Sequence, residues 1–297
     1  MAPNLDKKHL LSFELWYDEF PAGYPNIRIS NAHATATIAL HGAHVIDYIP
    51  RDQEPVIFTS VKAQFKEGKA IRGGIPVCWP WFGAHPSDST KPAHGFARNR
   101  FWQVVSSSSQ KDYTEVVFEL DTQAENIWES PTTLTLTIRV GAELSLQLTS
   151  TNIGDKDISI GGALHSYFYV GNSSKTEITG LEDTSYLNAL NGVEQVQDGS
   201  ISFTEETDRV YKNTTDAVVI NDPVFKRNIT IEKSGSKSTV VWNPWIDKAS
   251  AFADMADEEY QDFVCVETAN ALEDVYILGP GQSHTLASTI RATPSEL

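Results

Sequence analysis

Five side chains able to do chemistry sit in surroundings that ordinary packing would not choose for them. His94 and Arg98 lie in AHGFARNRFW, and His165 lies in GGALHSYFYV beside Leu164 and the aromatics Tyr167, Phe168 and Tyr169. Asp208 falls in EETDRVY, and Glu267 ends the apolar run Phe263–Val266 in DFVCVETAN. A glutamate that continues a buried strand is costly unless it is hydrogen-bonded or working. If Phe263, Cys265 and Glu267 share one face and Val264 and Val266 the other, burial raises the Glu267 carboxyl pKa and makes it a better proton acceptor near neutrality. A histidine is the complementary partner, because its charge changes in the same pH range. Taken singly, His165 also reads as a satisfied structural histidine, and Glu267 as a solvated or capping residue. Only the set makes a case.

The densest concentration of unusual residues is Arg72 to Arg98, which begins RGGIPVCWPWFG and ends HGFAR. Arg72 and Arg98 are permanently charged and carry the planar fork that suits a phosphate or carboxylate. Pro76 and Pro80 remove ladder donors, so the segment belongs at a sheet edge or in an irregular crossing. Gly73 and Gly74 permit positive φ and close approach. Trp79, Trp81 and Phe82 supply flat apolar surface, and the mixture reads as the wall of a pocket. Trp242 and Trp245 in WNPW read instead as packing around a turn. His9, His33, His41, His44, His85 and His284 carry no assignment.

These residues must be held by strands, because two-residue alternation dominates the chain. Leu134, Leu136 and Ile138 alternate with polar residues, and after Gly141 the pattern resumes at Leu144, Leu146 and Leu148, which predicts a hairpin. Similar runs occupy 26–30, 35–40, 114–120, 158–161, 218–220, 228–232 and 239–242, with turn residues such as Asn191-Gly192 and Gly279-Pro280-Gly281 between them. Short helical pieces are expected near Pro55–Ala63, Glu125–Ser130 and Asp257–Tyr260. The expectation is an all-β chain, a large antiparallel β-sandwich of many strands with a few short helices, forming one domain over residues 1–297.

The chain has 297 residues, a net charge of −16 and a pI near 4.8. Such a field repels phosphate polymers and anionic membranes, so neither nucleic acid nor a membrane is the expected partner. A small anion is compatible, since the arginines reverse the sign locally. Cys78 and Cys265 sit in apolar contexts and read as buried reduced thiols. No stretch approaches the ~20 apolar residues of a membrane helix. Glu14 and Asp18 interrupt the apolar character of the N-terminal segment, so no signal peptide is read there and a cytoplasmic protein is expected.

The strings RGGIPVCWPWFG (72–83), HGFAR (94–98), ALHSYF (163–168), TD (207–208), VVWNPW (240–245) and CVETA (265–269) occur in an order that resembles the glucose-6-phosphate 1-epimerases. These are hexose-6-phosphate mutarotases of the aldose 1-epimerase (galactose mutarotase-like) superfamily, and the resemblance runs from about Ala32 to Thr289. It implies a large β-sandwich, a small hexose 6-phosphate as the molecule bound, and no cofactor and no metal. His165 then takes the role of general acid and Glu267 that of general base at the anomeric centre. Arg72 and Arg98 match substrate- and phosphate-contacting arginines, His94 a histidine near the ring oxygen, and Asp208 an acid that binds sugar hydroxyls. One position departs: Ala93 stands where some relatives carry a glutamine that contacts substrate. A monomer is expected.

Ring opening removes the O1 proton while O5 is protonated, and closure on the other face follows rotation about C1–C2. An acid and a base near their ordinary pKa ranges suffice for this. Three rivals stand beside it. His94, His165 and Glu267 could form a two-histidine, one-carboxylate metal site, although no closely spaced histidine pair supports it. A non-catalytic carbohydrate-binding sandwich would keep the tryptophans without needing a paired acid and base. Mutarotation of unphosphorylated aldoses would use the same pair without the phosphate contacts.

Overall fold

The computed structural model describes residues 6–20, 23–122 and 127–295. Antiparallel sheets dominate its regular structure, as the alternation predicts. The hairpin pairs Thr132–Gly141 with Leu144–Asn152, setting Leu136 opposite Leu148 and Val140 opposite Leu144. From Thr132 to Val140 burial alternates residue by residue, because successive side chains of a pleated strand point to opposite faces. These two strands belong to a nine-stranded sheet with Tyr113–Asp121, Gln103–Ser109, Ser283–Pro294, Arg227–Ser234, Val218–Asp222, Glu177–Thr179 and Ile201–Ser202.

An eight-stranded sheet carries the chemistry. Its order runs Val193–Val196, Ser185–Asn188, Thr207–Lys212, Ser238–Asn243, Phe263–Asn270, Gly162–Leu164 and Val77–Cys78, and Tyr167–Tyr169 also pairs with Phe263–Asn270. Leu15–Glu19, Pro25–Ser30, Ala34–Ala39 and His44–Pro50 form a further antiparallel sheet, and Ile158–Ile160 pairs with Tyr276–Leu278. Side chains from the three large sheets meet in one contiguous apolar core that includes Ile38, Phe118, Leu136, Leu164, Val241, Val266 and Ile290. Phe263–Asn270 is buried along its whole length, with Val264 and Val266 in this core and Phe263 and Cys265 in a smaller cluster with Tyr167 and Trp242. That division confirms the predicted face pattern.

The helical expectations fare less well. Pro55–Ala63 is extended and irregular, with isolated bridges from Ile57 to Phe168 and from Thr59 to Gly73. Within the predicted 125–130 piece, residues 125 and 126 lie outside the described residues and 127–130 are not helical. The third piece is one 3-10 turn at Glu259–Gln261. An α-helix forms instead at Trp245–Ala251, where the sequence reading expected only a turn. Pro244 precedes it, and the Asn243 side-chain carbonyl accepts from the Trp245 N–H at 2.9 Å. The start of the N-terminal segment, residues 1–5, is outside the described residues. Among the described residues, no helix is long and apolar enough to cross a membrane.

Candidate active site

Strand register delivers the first contact of the site. Leu164 pairs with Thr268 and Tyr167 with Cys265, so the ladder continued through the break at 165–166 sets His165 opposite Glu267. His165 Nε2 lies 3.3 Å from Glu267 Oε1, and the glutamate is 1% exposed. The break itself is tied down, because the His165 N–H donates to the Pro76 carbonyl at 3.0 Å. Val77–Cys78 is the two-residue edge strand that Pro76 and Pro80 predict.

The pair forms the floor of a cavity of about 780 Å³, within the usual range for small-molecule sites. All six residues singled out from the sequence line it: Arg72, His94, Arg98, His165, Asp208 and Glu267. Asp208 comes from Thr207–Lys212, where it pairs with Trp242, and Val240 pairs with Glu267. Val210, Val240 and Trp242 line the same wall.

The arginine loops are held by close backbone approaches. Gly73 has φ +99°, and a Cβ there would fall 2.5 Å from the Phe58 carbonyl oxygen. Buried His44, Nε2 2.8 Å from the Gly73 carbonyl, fixes the same turn. Burial drives the His44 pKa down to about 3, so the ring is neutral and Nε2–H donates. Arg72 is thereby aimed at the cavity. Its Nε donates to Asp254 Oδ1 at 3.1 Å, its Nη1 to the Tyr167 hydroxyl at 3.3 Å, and its guanidinium lies 4.2 Å from the Phe252 ring centroid. Arg98 Nη2 donates to the Ala93 carbonyl at 3.1 Å, and its buried Nε has no partner. At position 93, therefore, the polar group is a backbone carbonyl, and it is bonded to Arg98.

Electrostatics separate the acid and base from their solution values. Desolvation pushes the Glu267 carboxyl well above its ordinary pKa; nearby Asp208 adds to this and Arg98 opposes it. Desolvation holds the His165 imidazole well below its ordinary value, helped by His94, Arg98 and Arg72. The rise expected for a buried Glu267 is present, and complete burial carries both groups further from their ordinary ranges than the chemistry requires. Burial and Arg98 bring His94 down to about 4, so that ring is neutral at pH 7. Asp208 is raised by burial, with Lys248 opposing. His165 and Glu267 titrate as one coupled unit, in which a single proton between the two is the arrangement that avoids an isolated buried charge.

The aromatic wall differs from the one expected. Phe82 lines the cavity, but Trp79 is in the main core with Nε1 donating to Ser150 Oγ at 3.0 Å. Trp81 packs edge-on to His85 and donates to the Pro92 carbonyl. Trp242, read from sequence as turn packing, lines the cavity with its ring 6.0 Å from His165. Tyr167, Phe252, Asp254, Lys69 and Lys248 were also missed. Only Tyr167 left a signal, two positions from His165, where strand alternation returns to the same face.

Comparison with known proteins places the chain in a family. The family model described as "Aldose 1-epimerase" matches residues 25–291. An Escherichia coli K12 protein named "Putative glucose-6-phosphate 1-epimerase" is 38% identical over 270 residues, covering 89% of each chain. A Cenchrus ciliaris protein of the same name is 34% identical over 289 residues, covering 93% of this chain and 87% of the relative. A crystal structure of a "putative mutarotase" from Salmonella typhimurium has a TM-score of 0.90 at 30% identity, with 96% of both chains covered.

Proposed function

The chain belongs to the aldose 1-epimerase family, and from that premise we propose that it interconverts the α and β anomers of D-glucose 6-phosphate. The observation that carries this reading is the His165–Glu267 pair, 3.3 Å apart on the floor of a cavity whose walls hold Arg72 and Arg98. Glu267 takes the proton from the O1 hydroxyl as His165 gives one to O5. The C1–O5 bond breaks, leaving an aldehyde at C1 and a hydroxyl at C5. Rotation about C1–C2 turns the other carbonyl face to O5, and the reverse transfers close the ring. No net proton is gained or lost, so the pair finishes with the single proton it began with.

The raised glutamate and depressed histidine suit this cycle. In the unliganded pocket the shared proton avoids a charge-separated buried pair. Sugar hydroxyls between the two groups supply the hydrogen bonds that let carboxylate and imidazolium coexist with the same proton count. Each positioned group is worth ~10²–10⁴ in rate. Neutral His94 donates or accepts beside the ring oxygen, and Asp208 accepts from sugar hydroxyls. Arg72 and Arg98 hold the phosphate, and binding energy spent there orients the anomeric carbon. The net charge of −16 makes these cations a local inversion of the field, which favours a small anion over a neutral aldose.

On this reading the protein is a monomer, a single β-sandwich unit working in the cytoplasm on a free sugar phosphate. The test is two-dimensional NMR exchange between the anomeric protons of glucose 6-phosphate. Micromolar protein should shorten the exchange lifetime well below the spontaneous one, and far more for glucose 6-phosphate than for glucose. Unchanged exchange for both sugars would defeat the reading; equal acceleration of both would remove the phosphate from it.

A further inference from the structure

A histidine that moves protons is usually oriented by a hydrogen bond at its second ring nitrogen. His165 has none from a neighbour: its Nδ1 is buried with no partner on another described residue, and the ring's one backbone hydrogen bond is to its own main chain. Something else must hold the ring with Nε2 toward Glu267. We propose that Tyr167 is the positioning residue that does this, and that through its hydroxyl it joins the acid to the arginine on the phosphate side. The inference rests on the functional reading above and adds to it a residue outside the proton-transfer pair.

The rings of His165 and Tyr167 are stacked, with centroids 4.9 Å apart and planes 11° from parallel. Trp242 closes the arrangement edge-on, 6.0 Å from His165 and 5.8 Å from Tyr167. A face on one side and an edge on another leave the imidazole little rotation about χ2, while its Nε2 edge stays open to the cavity. Tyr167 is itself immobilised. Its N–H donates to the Gly74 carbonyl at 3.0 Å, and its carbonyl accepts from the Phe58 N–H at 3.0 Å. The Gly74 N–H donates to the Phe58 carbonyl at 2.6 Å, so Tyr167 is laced into the turn that carries Arg72.

The hydroxyl end completes the link. Tyr167 oxygen accepts from Arg72 Nη1 at 3.3 Å, while Asp254 and Phe252 hold Arg72 from other sides. One rigid ring therefore touches the acid with its face and the phosphate-side arginine with its oxygen. Seating of the phosphate on Arg72 and aim of the imidazole are set by the same side chain.

The two ends of the ring can be removed separately. Tyr167→Phe keeps the stack and deletes the contact to Arg72, so KM for glucose 6-phosphate should rise about two- to tenfold while kcat changes by less than about twofold. Tyr167→Leu deletes the stack, and kcat should fall roughly tenfold or more. In a double-mutant cycle, Tyr167→Phe on top of Arg72→Gln should add nothing further to KM, because the hydroxyl acts through that arginine. Additive KM effects in the cycle, or a Phe variant that loses as much kcat as the Leu variant, would overturn the inference. Should the Leu variant fail to fold, Phe and the cycle still decide. A wild-type protein that leaves the anomers unexchanged would defeat the functional reading and this inference with it. An active wild type with an additive cycle defeats the inference alone.

Discussion

Replacing Glu267 with glutamine keeps the shape of the side chain and removes its capacity to take a proton. The structure sets opposite signs for the effects on rate and on stability. Loss of a positioned base should lower kcat by ~10²–10⁴, equivalent to about 3–5 kcal/mol of barrier. Stability should hold or rise. Glu267 is fully buried, its Oε2 has no hydrogen-bond partner among the described residues, and its Oε1 lies 3.3 Å from His165 Nε2. A neutral amide avoids the desolvation cost of the carboxylate and can still hydrogen-bond the imidazole. A gain of about 1 kcal/mol would appear as a rise in Tm of roughly 2–4 °C.

The pH dependence supplies a second check. The folded-state pKa of Glu267 is raised, so the folded protein binds its proton more tightly than the unfolded chain does. That contribution to stability is full below the ordinary carboxyl range and is lost as pH rises through the folded value. The glutamine variant lacks it, so its Tm advantage should widen as pH climbs from below 4.5 toward neutrality. His165 is shifted the other way, so its term increases stability up to pH 6.5; because its titration is coupled to Glu267, the comparison is read above that pH. Anomeric exchange by NMR reads the rate, and calorimetry at several pH values reads the stability. A variant with full rate would remove Glu267 as the base. A variant that loses several degrees at neutral pH would make its role structural.

Other outcomes follow from the same geometry. Arg98→Gln should raise KM for glucose 6-phosphate roughly ten- to a hundredfold, since a charged hydrogen bond is worth about 1.5–3 kcal/mol, and should leave activity on glucose nearly unchanged; steady-state kinetics on both sugars checks it. The profile of kcat/KM against pH should be bell-shaped, with the acid limb marking a second proton on the His165–Glu267 pair and the alkaline limb marking loss of the shared one. His94 is held at about 4, so His94→Asn should leave both limbs in place while lowering the plateau. Gly95→Ala should cost at least about 2 kcal/mol and be visible by thermal melting, because φ is +69° and a Cβ would fall 1.9 Å from the Trp79 carbonyl oxygen.

Much of the site was legible because its residues conflict with their setting. A glutamate ending FVCV and a histidine before YFY are expensive choices for a strand, and such conflict marks function. Trp79 and Trp81 were misassigned to the pocket wall for an instructive reason. Aromatic composition indicates large apolar surface but not which side of the chain faces the core, and Val77–Cys78 is too short for alternation to say. Trp242 was misread in the opposite direction, since a WNPW string describes a turn locally while the sheet carries the ring into the cavity. The helix at Trp245–Ala251 depends on Asn243 accepting from the first free N–H, a contact that follows the strand end.

From the residues alone came the two-residue period, the antiparallel hairpin, the edge placement of Pro76 and Pro80, and six of the side chains that line the cavity. These are local properties: alternation, missing donors and ill-suited polarity are written into neighbouring positions. Only the tertiary structure decided the rest. The register of Gly162–Leu164 and Tyr167–Tyr169 on Phe263–Asn270 set His165 across from Glu267, and a slip of one residue would have turned them to opposite faces. Burial of that pair then shifted their proton affinities in opposite directions, raising the glutamate's and lowering the histidine's, because desolvation depends on every layer packed around a group and not on its chain neighbours alone.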